Sequence, residues 1–181
     1  MKYIAFFRGI NVGGKNIVKM SDLRRMFTDL GFHDVKMYIQ SGNVVFSSDM
    51  EQHMLVPVIE KVFNERFGFT SAVVVRSDEE IISIANSLPF KEAEIEQAMY
   101  ENPDVEHVYI YLSNTTIDIE KIELLCASYS GRDRFQVMGR EIYLLCFQSI
   151  SDSKLATLLT RLPQPLTSRN LRTIEKISLM M

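Results

Sequence analysis

Within residues 1–76 the apolar pattern alternates between period two and period 3.6 in the order strand, helix, strand, strand, helix, strand. Residues 2–7, rich in β-formers, read as a strand, and Leu23, Met26, Phe27 and Leu30 recur at i, i+3, i+4, i+7 on a helix over 20–30. Ser21 is the expected N-cap of that helix and Gly31 its left-handed C-terminal residue. Residues 35–39 and 44–47 are two strands separated only by Gln40-Ser41-Gly42-Asn43. So short a connection forces an antiparallel pair, because a parallel pair needs a crossover of a dozen or more residues. Met54, Leu55, Val58, Ile59, Val62 and Phe63 mark a second helix that Gly68 ends, and 72–76 is a closing strand.

The order returns in the second half. Residues 107–112 read as a strand and 117–127 as a helix; 134–138 and 141–147 form a hairpin across Gly139-Arg140, and 151–162 is a helix. Where a closing strand belongs, the chain has Pro163-Gln164-Pro165 and then a helix from Ser168. The reading is α+β: two ferredoxin-like βαββαβ units with antiparallel sheets, the second modified at its C-terminal end. Residues 1–88 make the first unit, with a capping helix opened by Ser77-Asp78-Glu79-Glu80. Residues 89–106 are an acidic linker, and 107–181 are the second unit with a terminal helix.

Charge is distributed along this order. The 181 residues carry a formal net charge of −3, yet residues 1–47 hold seven Lys/Arg against three Asp/Glu, and 48–106 hold four against thirteen. A uniformly basic surface that coats nucleic acid is excluded, whereas a local cationic site is not. The apolar N-terminal run stops at Arg8, too short for a secretory segment, and no stretch is long enough to span a membrane. Cys126 and Cys146 lie in apolar stretches and read as buried free thiols, so a cytoplasmic address is expected. His33, His53 and His107 stand too far apart in sequence to suggest a metal site, and no cofactor is implied.

The stretch most suggestive of chemistry is Arg8-Gly9-Ile10-Asn11-Val12-Gly13-Gly14-Lys15-Asn16. Gly9, Gly14 and Lys15 match the spacing of G-x-x-x-x-G-K-[ST], but Asn16 supplies no Mg²⁺-binding hydroxyl and the helix begins too late to point at a phosphate. A nucleotide-hydrolysing loop is therefore rejected. What remains is a set of glycines that would let backbone N–H groups approach a ligand, flanked by Arg8 and Lys15. In a sheet of order 4-1-3-2 the first two strands run parallel, so this loop and the 40–43 hairpin share an edge. That edge gathers Arg8, Asn11, Gly13, Gly14, Lys15, Asn16, Gln40, Ser41 and Asn43 as candidate ligand-binding residues.

The run Arg8-Gly9-Ile10-Asn11-Val12-Gly13-Gly14, with Met20, Leu23-Arg24, Leu30-Gly31-Phe32 and the run from Tyr38 to Phe46, resembles the bacterial domain-of-unknown-function 1697 family. Ser168-Arg169-Asn170, followed by Thr173 and Lys176, is similar to that family's closing motif. The resemblance implies two ferredoxin-like units and no activity. It adds Arg169 and Asn170 to the candidate set, on a terminal helix whose basic face carries Arg169, Arg172, Thr173 and Lys176.

The leading functional reading is a binding module for an anionic ligand: a nucleotide, a phosphorylated metabolite or an RNA phosphate. An enzyme using the same cleft is the alternative, though only Ser41 and Tyr38 offer reactive groups and no base accompanies them in sequence. Catalytic residues are thus unassigned. A sheet that stacks RNA bases would need Tyr3, Phe6, Phe7 or Phe46 exposed, while those rings read as core. A structural or protein-interaction domain is the remaining alternative, with the acidic segment 89–106 facing an unidentified partner.

Overall fold

The computed structural model describes residues 1–181 as two compact units, one formed by Met1–Ala85 with Glu175–Met181 and the other by Asn86–Ile174. The first contains β1 (Lys2–Phe7), α1 (Met20–Asp29), β2 (His33–Tyr38), β3 (Asn43–Ser47), α2 (Gln52–Phe67), β4 (Val73–Ser77) and α3 (Asp78–Asn86). Its four strands lie in the order β2-β3-β1-β4 with every neighbouring pair antiparallel. This is the order read from the sequence, and β1 and β3 occupy its centre.

The core follows from the two periodicities. Tyr3, Ala5, Phe7, Val44, Phe46, Val73 and Val75 present one face of the sheet, and Leu23, Met26 and Phe27 of α1 and Leu55, Ile59 and Phe63 of α2 pack onto it. Aromatic rings make the joints: Phe27 meets Phe46 edge-on at 5.0 Å between centroids and Phe7 meets Phe63 at 5.0 Å. Ile4, Phe6, Val45, Val74 and Arg76 alternate with these residues and are also buried, which explains strands that read as continuous apolar runs. Arg66 donates to Asp29 at 2.8 Å, linking the ends of α2 and α1.

The second unit contains α4 (Glu92–Glu101), β5 (Val108–Leu112), α5 (Ile119–Cys126), β6 (Arg134–Met138), β7 (Glu141–Leu145), α6 (Lys154–Leu159), β8 (Thr167–Asn170) and the start of α7 (Leu171–Ser178). Its sheet has the order β6-β7-β5-β8, again antiparallel throughout. Ile122 and Cys126 of α5 and Leu155, Ala156 and Leu159 of α6 pack over Tyr111, Ile142 and Leu144.

Two local expectations change. A closing strand does exist in the second unit: Thr167–Asn170 pairs with β5 from Leu112↔Thr167 to Tyr109↔Asn170, and the terminal helix starts at Leu171 rather than Ser168. Thr-Ser-Arg-Asn has no apolar alternation, so its strand conformation comes from the partner edge of β5. The acidic segment holds a helix, α4, in which Glu92 and Glu94 sit in the first turn, favourable to the helix dipole, and Glu94 Oε2 accepts from Lys91 N at 3.2 Å. No helix is long and apolar enough to cross a membrane.

Candidate functional site

The segment joining β1 to α1 is a miniature hairpin. Val12 and Lys15 form an antiparallel bridge, Lys15 N donates to Val12 O at 3.1 Å, and Asn11 N donates to Asn16 O at 3.1 Å. Gly13 and Gly14 have φ of +60° and +73°, as a type I′ turn requires at both central positions. A Cβ on either would meet nothing within 4 Å, so backbone conformation and not crowding calls for glycine here. The N–H groups of Asn11 and Lys15 therefore close the hairpin; they are not open to a ligand.

The loop and the β2–β3 hairpin do share an edge, and Asn11 joins them. Its Nδ2 donates to Val18 O and to Gln40 O, both at 3.0 Å, and its Oδ1 accepts from Val18 N at 2.8 Å. Asn16 Nδ2 donates to Gly9 O at 3.2 Å. Both asparagines sit at positive φ, +56° and +51°, a conformation asparagine tolerates better than most residues. In the hairpin, Asn43 is fully buried and its Nδ2 donates to Tyr38 O at 3.1 Å and Ser41 Oγ at 2.9 Å. Asn11, Asn16, Ser41 and Asn43 thus have structural hydrogen bonds that organise the edge. The commitment of Asn11 to Gln40 O, 29 residues away, has no signal in local sequence.

Arg8, Lys15, Lys19 and Gln40 face outward from this scaffold. No carboxylate pairs with Arg8, Lys15 or Lys19. Beside them is a hollow of about 530 Å³ bounded by Asn11, Gly14, Val18, Lys19, Ser21 and Gln40. Lys19, absent from the sequence-derived set, lines it and is also the N-cap of α1. Ser21 is in the second position of the helix and does not cap it. Asp22 N and Leu23 N both donate to Lys19 O, at 3.0 and 3.1 Å, so the N–H groups of Met20 and Ser21 head the first turn without a helical partner.

Arg169 and Asn170 belong to β8 and have local roles there. Arg169 Nη1 donates to Thr167 Oγ1 at 2.9 Å and Ser168 O at 2.8 Å, and burial lowers its guanidinium to about 10, still cationic at neutral pH. Asn170 Oδ1 accepts from Thr173 N at 2.9 Å and so caps α7. On α7 itself Arg172 is exposed and pairs with Glu106 at 3.5 Å, Thr173 is buried, and Lys176 is exposed.

The Ser41 hydroxyl accepts from the Asn43 carboxamide. Tyr3, Phe6, Phe7 and Phe46 are at most 2% exposed and offer no stacking platform for bases. No group of three His, Cys, Asp or Glu side chains is gathered where it could hold a metal ion. The acidic α4 is partly neutralised within its own unit, by Arg132 on Glu101 at 2.7 Å and Arg134 on Glu94 at 3.3 Å.

The family described as "Protein of unknown function (DUF1697)" matches residues 1–143, which include the loop and the hairpin and stop short of Arg169 and Asn170. No curated protein matches the chain. Among solved structures, conserved bacterial protein SP0830 from Streptococcus pneumoniae superposes with a TM-score of 0.76 at 27% identity, over 99% of this chain and 97% of that one.

Proposed function

Because this chain belongs to the DUF1697 family, whose function is unknown, we propose a role from geometry alone: its first unit is a binding module for a phosphate-bearing ligand. The observation that carries this reading is the set of three exposed cations, Arg8, Lys15 and Lys19, without carboxylate partners on the segment that leads into the open N-terminus of α1. A helix N-terminus and adjacent cations favour an anion through the same field, each contributing modestly when exposed to solvent. The hollow beside Lys19 gives the ligand room, and the Asn11 clamp holds both its walls without rearrangement on binding. A phosphorylated metabolite, a nucleotide and an RNA phosphate all present the required group.

Titration of the labelled full chain with inorganic pyrophosphate, followed through backbone amide resonances, tests it. Saturable shifts are expected from Gly13 to Ser21. In Arg8→Ala/Lys19→Ala the apparent dissociation constant should rise about tenfold or more, as expected for losing charge-assisted contacts. Pyrophosphate that leaves the resonances of that segment unmoved, or moves them equally in the variant, overturns the proposal.

A further inference from the structure

A hollow of about 660 Å³ in the second unit lies between the turn after α5 and one face of α6. That volume suits a small organic molecule better than a bare ion. Its base is rigidly built. Gly131 lies against the ring of Tyr129, where a Cβ would overlap the tyrosine hydroxyl, and that hydroxyl accepts from Asp133 N at 2.9 Å. Asp133 is buried below: Oδ1 accepts from Phe147 N at 2.9 Å, and Oδ2 accepts from Gln148 Nε2 at 2.8 Å and Ser153 Oγ at 2.6 Å. Ser153 Oγ in turn accepts from Ala156 N at 3.0 Å and caps α6. One side chain therefore fixes the turn, the chain leaving β7 and the start of α6, which are the walls of the hollow.

The lining has a consistent charge. Lys154, Thr157, Leu158 and Arg161 recur at i, i+3, i+4 and i+7, the spacing of a single helical face, and all four line the hollow. Lys154 and Arg161 are exposed and no carboxylate pairs with either. Opposite them Arg132 is held by Glu101 through two bonds, 2.7 and 2.9 Å, and lies 4.1 Å over the Phe147 ring, so that pair is neutral and fixed. Asp152 is the one carboxylate of the lining, and it accepts from Ser149 Oγ at 3.1 Å. Apart from the neutral pair, two cations face one carboxylate. The hydroxyls of Ser128 and Ser130 add donors, and Tyr129 and Leu158 add an apolar surface.

We propose that this hollow binds a phosphomonoester of a small organic molecule, with the phosphoryl group between Lys154 and Arg161 and the organic body against Tyr129 and Leu158. A phosphomonoester is close to dianionic at neutral pH, matching two cations, and its three free oxygens accept from hydroxyl donors as well. The site shares no residue with the one assigned to the first unit, so either stands if the other fails.

The test is an amide-resolved titration of the labelled full chain with phenyl phosphate, run beside phenol and inorganic phosphate. Saturable shifts are expected from Ser128 to Arg132 and from Lys154 to Arg161, with phenyl phosphate binding more tightly than either fragment. Lys154→Gln/Arg161→Gln should weaken it about tenfold or more, while Lys154→Arg retains it and Arg8→Ala leaves these shifts unchanged. Because both side chains are exposed, the spectrum elsewhere should match the parent; if the double variant does not fold, Arg161→Gln alone, beyond the end of α6, carries the comparison. Resonances of the hollow that stay unmoved by phenyl phosphate overturn the proposal, as do equal affinity for inorganic phosphate and binding that survives removal of both cations.

Discussion

Gly42 and Gly14 have nearly the same φ, +71° and +73°, in very different surroundings. A Cβ on Gly14 meets empty space, whereas one on Gly42 would lie 2.6 Å from Ile10 Cδ1 and 2.8 Å from Phe7 Cβ. Gly14→Ala should thus cost only the left-handed backbone, about 1 kcal/mol, and Gly42→Ala the backbone plus a core clash, about 3 kcal/mol. Denaturant unfolding of the two variants checks the order; equal losses would mean that the loop and hairpin do not meet as described. The hairpin holds a contrasting residue in Ile39, a β-branched side chain at φ +49° and 53% exposed. Sequence placed Ile39 in the strand, as its propensity suggests, but β2 ends at Tyr38 and Ile39 bears the turn's strain.

At the scale of elements, α4 is tied to the turn before β6 by Glu101 and Arg132. The two bonds from Arg132, then one from Gln97 at 2.9 Å, hold the Glu101 carboxyl well below its ordinary 4.5, at about 2. A carboxyl with a depressed folded value contributes stability that is present above 4.5 and is lost as pH falls from 4.5 towards 2. Following the Glu101 carboxyl resonance through acid should give a midpoint near 2 in the parent and one returned towards 4.5 in Arg132→Gln. A parent midpoint near 4.5 would show that the pair does not form in solution. The helix was unreadable as an element because its charges and flanking prolines resemble those of a linker. Its capping contact and its ties to Arg132 and Arg134 are what order it.

Across the whole molecule, the same strand order occurs twice, with β1 and β3 central in one sheet and β5 and β7 in the other. The edges differ from the centres in each. β2 is interrupted between His33 and Lys36 and exposes both His33 and Asp34, and β6 alternates exposed with half-buried residues. Amide exchange should therefore be slowest in β1 and β5, which are paired on both sides, and faster in β2 and β6. Protection in β2 matching that in β1 would contradict this arrangement. Charge is also a property of the whole that the total conceals: a net −3 coexists with unpaired cations on the loop of the first unit and, in the second, at the start of α6 and just past its end.

The sequence by itself determined the strand and helix order of the first unit, both hairpins and the common edge of loop and turn. These follow from side-chain period and from turn residues, which act over a few neighbours and so are written locally. Only the tertiary structure decided which polar groups remain available. Asn11 reaches Gln40 O, and Asp133 gathers Phe147, Gln148 and Ser153, through hydrogen bonds between residues 14 to 29 positions apart. The four-residue β8 likewise exists because β5 offers it an open edge. A polar side chain's role depends on whether folding brings it a partner, and the spacing of its neighbours in sequence does not carry that information.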